Sequence, residues 1–237
     1  MTLLQIHSSA EAVHSVRVAC RRMESAIFVC QDGLRRSDYR PFQKMCQRLR
    51  SYSSVLRDQD VLAMAKVNLT PCSKRMTAKT RRRFLKKLRL NAKKWRKRAA
   101  QGRVFCCKAS SDPAKMVKGV QSRCLQLCGV FVVAWSRGNR SGKDLHRWRI
   151  ATKQLRYAIE FLVACGCSID ATKSLEDLKN LQDALGRKTD AMARDNLLSI
   201  ESPETNTAIP ECETKRIMPS VESLIQTVFK MVDWLET

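Results

Sequence analysis

LHRWRIATKQLRYAIEFL, residues 145–162, has the clearest periodicity in the chain. Its apolar or core-compatible positions recur at spacings of 3, 4, 3, 4 and 3 residues: Leu145, Trp148, Thr152, Leu155, Ile159 and Leu162. This spacing follows the 3.6-residue turn of an α-helix and places all six side chains on one face. The stretch therefore predicts an amphipathic helix that packs against other helices.

The same pattern occurs 132 residues earlier, in VHSVRVACRRMESAIFVC, residues 13–30. An offset of 132 pairs His14 with His146 and holds over 44 residues without a gap. Self-similarity of this kind predicts an internal duplication. The predicted organisation is a single domain over residues 1–237, with repeat one at 8–136, a linker at 137–142 and a shortened repeat two at 143–237.

The rest of the chain also predicts helices, because no segment alternates between apolar and polar residues with a period of two. The fold class is therefore all-α. Ser37 or Asp38 is expected to cap the second helix, and Asp112 to cap the fourth. The last helix is expected to start after Pro219, over about 220–236.

The charge is large and uneven. Among 237 residues, 45 are Lys or Arg and 22 are Asp or Glu, which gives a net charge of +23. Residues 1–168 contain 37 basic and 9 acidic side chains, whereas residues 169–237 contain 8 and 13. Residues 61–111 contain 17 basic side chains and no acidic one. Such a field attracts polyanions, so we expect a strongly acidic partner.

The eleven cysteines are scattered and lack paired C-x-x-C spacing, so we interpret them as reduced packing residues and expect no metal or other cofactor. The N-terminus has no basic flank before an apolar core, and we expect no secretory signal. The longest apolar run, Leu127–Trp135, is too short to span a bilayer. We therefore expect an intracellular protein without a membrane partner.

Each repeat opens with a row of donors in the pattern H-x-x-R-x-x-x-(R/K). The first row is His14, Arg17 and Arg21, and the second is His146, Arg149, Lys153 and Arg156. Each row shares a helical face beside the apolar stripe, so we expect each helix to present a row of donors to a chain of phosphates. Glu24 stands where the second row has Arg156, so the first row is interrupted.

These two helices resemble the CHAD family, the conserved histidine α-helical domain, and so do Arg57-Asp58-Gln59-Asp60 and the segment Leu178–Gly186 followed by Asp190. The resemblance implies two pseudo-symmetric antiparallel helical bundles around a basic cleft or pore. It also implies non-enzymatic binding of inorganic polyphosphate and tethering to polyphosphate. The expected binding residues are His14, Arg17, Arg21, Arg22, Lys44, Arg48, Arg57, His146, Arg149, Lys153, Arg156 and Lys179.

The sequence is also compatible with several alternative functions. The same charge would suit an RNA- or DNA-binding helical protein, so the compartment could be cytoplasmic, at polyphosphate granules, or nuclear or nucleolar. Asp58 and Asp190 could be catalytic carboxylates, but a structural role beside basic neighbours is the better interpretation. Glu211-Cys212-Glu213-Thr214-Lys215 matches the E-x-E-x-K signature of triphosphate tunnel enzymes, where it lies on a barrel strand. With no strand predicted, we take the match as accidental and expect no enzyme.

Overall fold

The computed structural model describes residues 10–64, 71–100, 112–137, 141–198 and 211–235. Within them, side chains are described except at residues 10, 55, 57–64, 71–77, 99, 193–198 and 211–221. The described residues form seven helices and no strand, as the sequence predicts. The helices are α1 (Ala10–Cys30), α2 (Arg36–Met64), α3 (Pro71–Ala100), α4 (Pro113–Arg137), α5 (Gly142–Ala164), α6 (Thr172–Leu198) and α7 (Glu211–Trp234).

The chain divides into two compact units, at residues 1–111 and 112–237. This division does not fall at the linker 137–142 that separates the predicted repeats. Helix α4, which the sequence assigns to repeat one, packs on α5 and α7. The reason is its apolar face, because Cys124, Leu127 and Phe131 are all buried. The duplication itself remains a prediction about the sequence.

In the first unit, α2 packs on both α1 and α3. One cluster of buried side chains joins the three helices: Val13, Cys20, Cys46, Leu49, Leu56, Phe84 and Leu88. Phe42 meets the edge of Trp95 with ring centroids 4.4 Å apart, which fixes α3 against the N-terminal part of α2. Burial of these apolar surfaces supplies the main stabilisation of the unit.

In the second unit, α4 and α6 each contact both α5 and α7, so the four helices close into a bundle. All six stripe positions of residues 145–162 are buried, which confirms that prediction. The buried Gln121 amide donates to the Val232 carbonyl at 3.0 Å and ties α4 to the end of α7. Ser174 donates to Thr227 at 2.8 Å and ties α6 to α7.

Local chemistry explains several helix ends. The Asp112 carboxylate accepts from the Ala114 amide at 3.0 Å, which confirms the predicted cap of α4. Ser141 caps α5 by accepting from the Asp144 amide. After α5, Gly166 has φ of 95°, a left-handed conformation that glycine adopts without strain, and this lets the chain leave the helix.

Two predicted helix starts are wrong. The Arg35 carbonyl accepts from the amides of Asp38 and Tyr39, so α2 begins before the expected caps at Ser37 or Asp38. Helix α7 begins at Glu211, which places Pro219 inside it. A proline removes one backbone donor and adds a local clash. Such a local preference is a weak guide where the tertiary context sets the helix length.

The cysteines behave as packing residues. Of the seven whose surroundings are described, all are free thiols and five are buried: Cys20, Cys46, Cys124, Cys128 and Cys167. Cys20 and Cys46 meet across the α1–α2 contact, and their thiols share a hydrogen bond that lowers the pKa of Cys20 and raises that of Cys46.

We expect Phe131→Ala to lower the free energy of unfolding by about 3–5 kcal/mol, because it removes a fully buried aromatic side chain from α4. Phe229→Ala is the matched control in the same unit. Its side chain is 50% exposed, so the loss should stay below about 1 kcal/mol. Urea denaturation of both variants measures the difference. Equal losses would contradict the described packing of α4.

Candidate functional site

The arginines that the two repeats share lie in the contacts between paired helices. Arg17 on α1 donates through Nη1 to the Arg50 carbonyl and to Ser53 Oγ on α2, both at 3.0 Å. Its counterpart Arg149 on α5 places Nη1 3.9 Å from Asp190 Oδ1 on α6. The Arg149 side chain is only 15% exposed. Each arginine therefore joins its helix to the next one along the chain.

Glu24 forms an ion pair with Arg50 of α2 inside the first unit. Its carboxylate accepts from Arg50 Nε, 3.0 Å from Oε2 and 3.2 Å from Oε1. Burial raises the pKa of Glu24, while Arg50 opposes that rise by favouring the charged form. The acidic residue that interrupts the first row thus binds a cation of α2, and both belong to the packing of the hairpin.

Arg156, the counterpart of Glu24, is similarly enclosed. Its side chain is 13% exposed, and its Nε lies 3.2 Å from Glu160 Oε1. The guanidinium stands 4.9 Å from the centroid of the Tyr157 ring. Arg149 and Arg156 are therefore partly buried at the edge of the packed interior, and their part in ligand binding stays a prediction. Helical periodicity gives the direction of a side chain, but the neighbouring helix sets its exposure.

The other predicted binding residues divide by exposure. Exposed positions are His14, Arg22, Lys44, Arg48, His146 and Lys179, and the partly buried ones are Arg21 and Lys153. The side chain of Arg57 lies outside those that the structure describes, as does that of Asp58. Of the exposed residues, Lys44 and Arg48 share one surface feature, a groove between α2 and α3.

This groove has a volume of about 820 Å³ and is strongly basic. Six exposed cations line it: Arg36, Arg40, Lys44 and Arg48 on α2, and Lys87 and Lys94 on α3. No carboxylate is among its described lining residues. The nearby Asp38 is engaged by Arg98 at 3.6 Å. We call this surface the α2/α3 groove.

Packed side chains form the floor of the α2/α3 groove. Leu49 and Trp95 line it and are almost fully buried beneath it. At one end, the Lys87 ammonium lies 4.9 Å from the centroid of the exposed Tyr52 ring. The hydrogen bond and positive charge of Lys87 lower the pKa of the Tyr52 hydroxyl. The apolar contact through Leu49 and Trp95 thus holds the cations of α2 beside those of α3.

Sequence reasoning missed four of the six cations: Arg36, Arg40, Lys87 and Lys94. The spacing of four residues from Arg36 to Arg48 was a usable signal, because residues i and i+4 share a helical face. What the sequence lacked was the location of α3. Only the packing of α2 on α3 shows which of the many cations of α3 face those of α2.

No group of three or more His, Cys, Asp or Glu side chains among the described residues is arranged to hold a metal ion. None of their helices combines the length and the apolar character needed to cross a bilayer.

The fold and this surface define a basic, all-helical domain with two compact units. Comparison with known families matches residues 3–199 to the CHAD domain, and the chain belongs to that family. No curated protein and no solved structure matches it. Helix α7 lies beyond the matched residues, although it closes the second unit by packing on α4 and α6.

We expect Arg149→Ala to lower the free energy of unfolding by about 1–2 kcal/mol, because it removes an enclosed guanidinium and its methylene stem from the α5–α6 contact. Arg147→Ala on the same helix is the control. That side chain is 70% exposed, so its loss should cost less than about 0.5 kcal/mol. Thermal melts of both variants measure this, and equal melting temperatures would place Arg149 outside the packing of the hairpin.

Proposed function

We propose that this chain binds inorganic polyphosphate without catalysing its turnover and serves to tether or localise a protein at polyphosphate. Membership in the CHAD family supports the proposal. The net charge of +23 supports it independently, since a field of that sign concentrates polyanions near the surface. The proposed partner is a long phosphate polymer. Because it has no base or sugar, its binding requires many cations on the protein but no shaped pocket.

Helix α3 is the observation that carries this proposal. Its sequence, PCSKRMTAKTRRRFLKKLRLNAKKWRKRAA, contains fourteen Lys or Arg and no Asp or Glu. Like charges three or four residues apart destabilise a helix, and here no acidic residue of the same helix relieves them. Phe84, Leu88 and Trp95 offset that repulsion through burial on one face. A polyanion bound along the face of α3 that lines the α2/α3 groove would reduce that repulsion, and would release condensed counterions in doing so.

Charge-assisted bonds supply the chemistry of binding. Arginine presents a planar fork that suits two oxygens of one phosphate, whereas lysine acts as a compact point charge. The exposed His14 and His146 add ring donors, and protonation would allow both nitrogens of each ring to donate. Regular repetition of these groups suits a ligand whose charge is also regular.

Two features support a binding role in preference to a catalytic one. The E-x-E-x-K segment at 211–215 lies in helix α7, whereas the tunnel enzymes carry that signature on a barrel strand. Asp190 lies beside Arg149, where it stabilises a packed cation. Both positions fit structural roles, and we propose that neither residue set carries out phosphoryl chemistry.

We expect long-chain polyphosphate to displace both duplex DNA and single-stranded RNA from the purified chain at physiological salt. The logarithm of the affinity should fall linearly with the logarithm of salt concentration, because each neutralised phosphate releases counterions. Fluorescence anisotropy with labelled competitors measures both effects. Incubation of the same samples with Mg²⁺ or Mn²⁺ should release no phosphate.

Preferential displacement by nucleic acid would instead support an RNA- or DNA-binding role, for which the same basic surface would serve. A response that does not change with salt would exclude the electrostatic mechanism. Phosphate release that Asp190→Ala abolishes would overturn the non-enzymatic proposal.

A further inference from the structure

Four cations form a regular row on α2. Arg36, Arg40, Lys44 and Arg48 are four residues apart, all are exposed and all line the α2/α3 groove. With a rise of about 1.5 Å per residue, neighbours in the row stand about 6 Å apart along the helix axis. The whole row covers about 18 Å. An extended chain of phosphates could meet one cation after another along this length.

The opposite rim, on α3, adds cations to the same groove. Lys87 and Lys94 face it, and Asn91 between them contributes an amide. The rims are held by the apolar floor, by the contact of Phe42 with Trp95 and by the ion pair of Arg98 with Asp38. Donors that are fixed before the ligand arrives lose less conformational entropy on binding.

The groove cations are available for a ligand. Arg36, Arg40, Lys44, Arg48 and Lys94 are exposed and form no ion pair with any carboxylate whose placement is described. This distinguishes them from Arg17, Arg149 and Arg156, which are engaged in helix contacts.

The row on α2 has no counterpart in the second hairpin. At the offset of 132 that aligns the two histidine helices, its four positions correspond to Ser168, Thr172, Glu176 and Asn180. None of these is a cation, and Glu176 would repel a phosphate. The α2/α3 groove therefore belongs to the first unit alone, and the duplicated H-x-x-R pattern cannot account for it.

We infer that the α2/α3 groove is the principal binding site for the phosphate polymer on the unit formed by residues 1–111. This inference rests on the proposed function and adds to it the place of binding, which the repeated histidine helices did not indicate. An extended phosphate chain lies along the row of α2, with its oxygens bonded to the guanidinium forks and to the ammonium groups of both rims.

The lining favours such a chain over a nucleic acid. Single strands gain affinity by stacking bases on aromatic faces. In this groove Lys87 covers one face of Tyr52, and Trp95 is only 9% exposed. The groove offers charge at regular intervals and little surface for bases.

The test compares two variants of the full-length chain that lose the same charge. The groove variant carries Arg36→Gln, Arg40→Gln, Lys44→Gln and Arg48→Gln. The control variant carries Arg82→Gln, Lys86→Gln, Arg89→Gln and Lys93→Gln, four exposed cations of α3 that do not line the groove. Circular dichroism and thermal melts establish that both remain folded, as expected for exposed positions.

Long-chain polyphosphate is the probe. We expect the groove variant to bind it at least about tenfold more weakly than wild type and with a shallower salt dependence, because fewer counterions are released. The control variant should stay within about threefold of wild type.

The outcomes separate the two proposals. If both variants lose the same affinity for polyphosphate, total charge alone governs binding. The groove would then be excluded as the principal binding site. Unchanged binding in the groove variant would exclude it as well, while leaving polyphosphate binding intact. If wild type itself fails to bind polyphosphate, the proposed function fails.

A smaller pair of variants covers the case in which the fourfold groove variant unfolds. The double variant Arg40→Gln with Arg48→Gln is then compared with the control double variant Lys86→Gln with Arg89→Gln. The groove is supported if the first pair weakens polyphosphate binding more than the second, and it is excluded if the two pairs bind equally well.

Discussion

Helix α2 packs between α1 and α3, and both the buried cluster and the α2/α3 groove of the first unit depend on that packing. Its Cys46, Leu49 and Leu56 enter one buried cluster with side chains from both neighbours. When one face of a helix is buried in the core, its other faces meet a neighbouring helix at the edge of that contact or the solvent. Arg50 and Ser53 therefore meet α1, whereas Arg36, Arg40, Lys44 and Arg48 face the groove beside α3. The apolar contact thus sets the positions of the charges.

Two groups of cations among the described residues differ in their surroundings. Arg17, Arg149 and Arg156 lie at contacts where carbonyls, hydroxyls or carboxylates of the same unit accept from them or lie nearby. The exposed cations of α2 and α3 mainly repel one another. Repulsion of this kind destabilises the compact state. A polyanion that binds only the folded chain would relieve it and stabilise the fold by an amount that rises with the logarithm of the free polyanion concentration above Kd.

The family relationship and the compact units describe different levels of organisation. The CHAD match covers residues 3–199, yet α7 lies beyond it and closes the second unit. The sequence offset joins α1 with α5 and α2 with α6, whereas packing groups α4 with the second set. A duplicated sequence pattern shows which helices resemble one another. It does not show against which apolar faces those helices pack.

The sequence by itself determined the helical class, the stripes of Val13–Cys30 and Leu145–Leu162, the cap at Asp112 and the basic character, because these depend on local period, local hydrogen bonds and composition. It predicted Lys44 and Arg48 as binding residues but could not show that they line one groove with Lys87 and Lys94. It also predicted a donor row beside the apolar stripe that included Arg149 and Arg156, but it could not show that both are partly buried against neighbouring side chains. Only the tertiary structure decided these points, since the exposure of a side chain and its neighbours across a groove depend on which helix packs beside it.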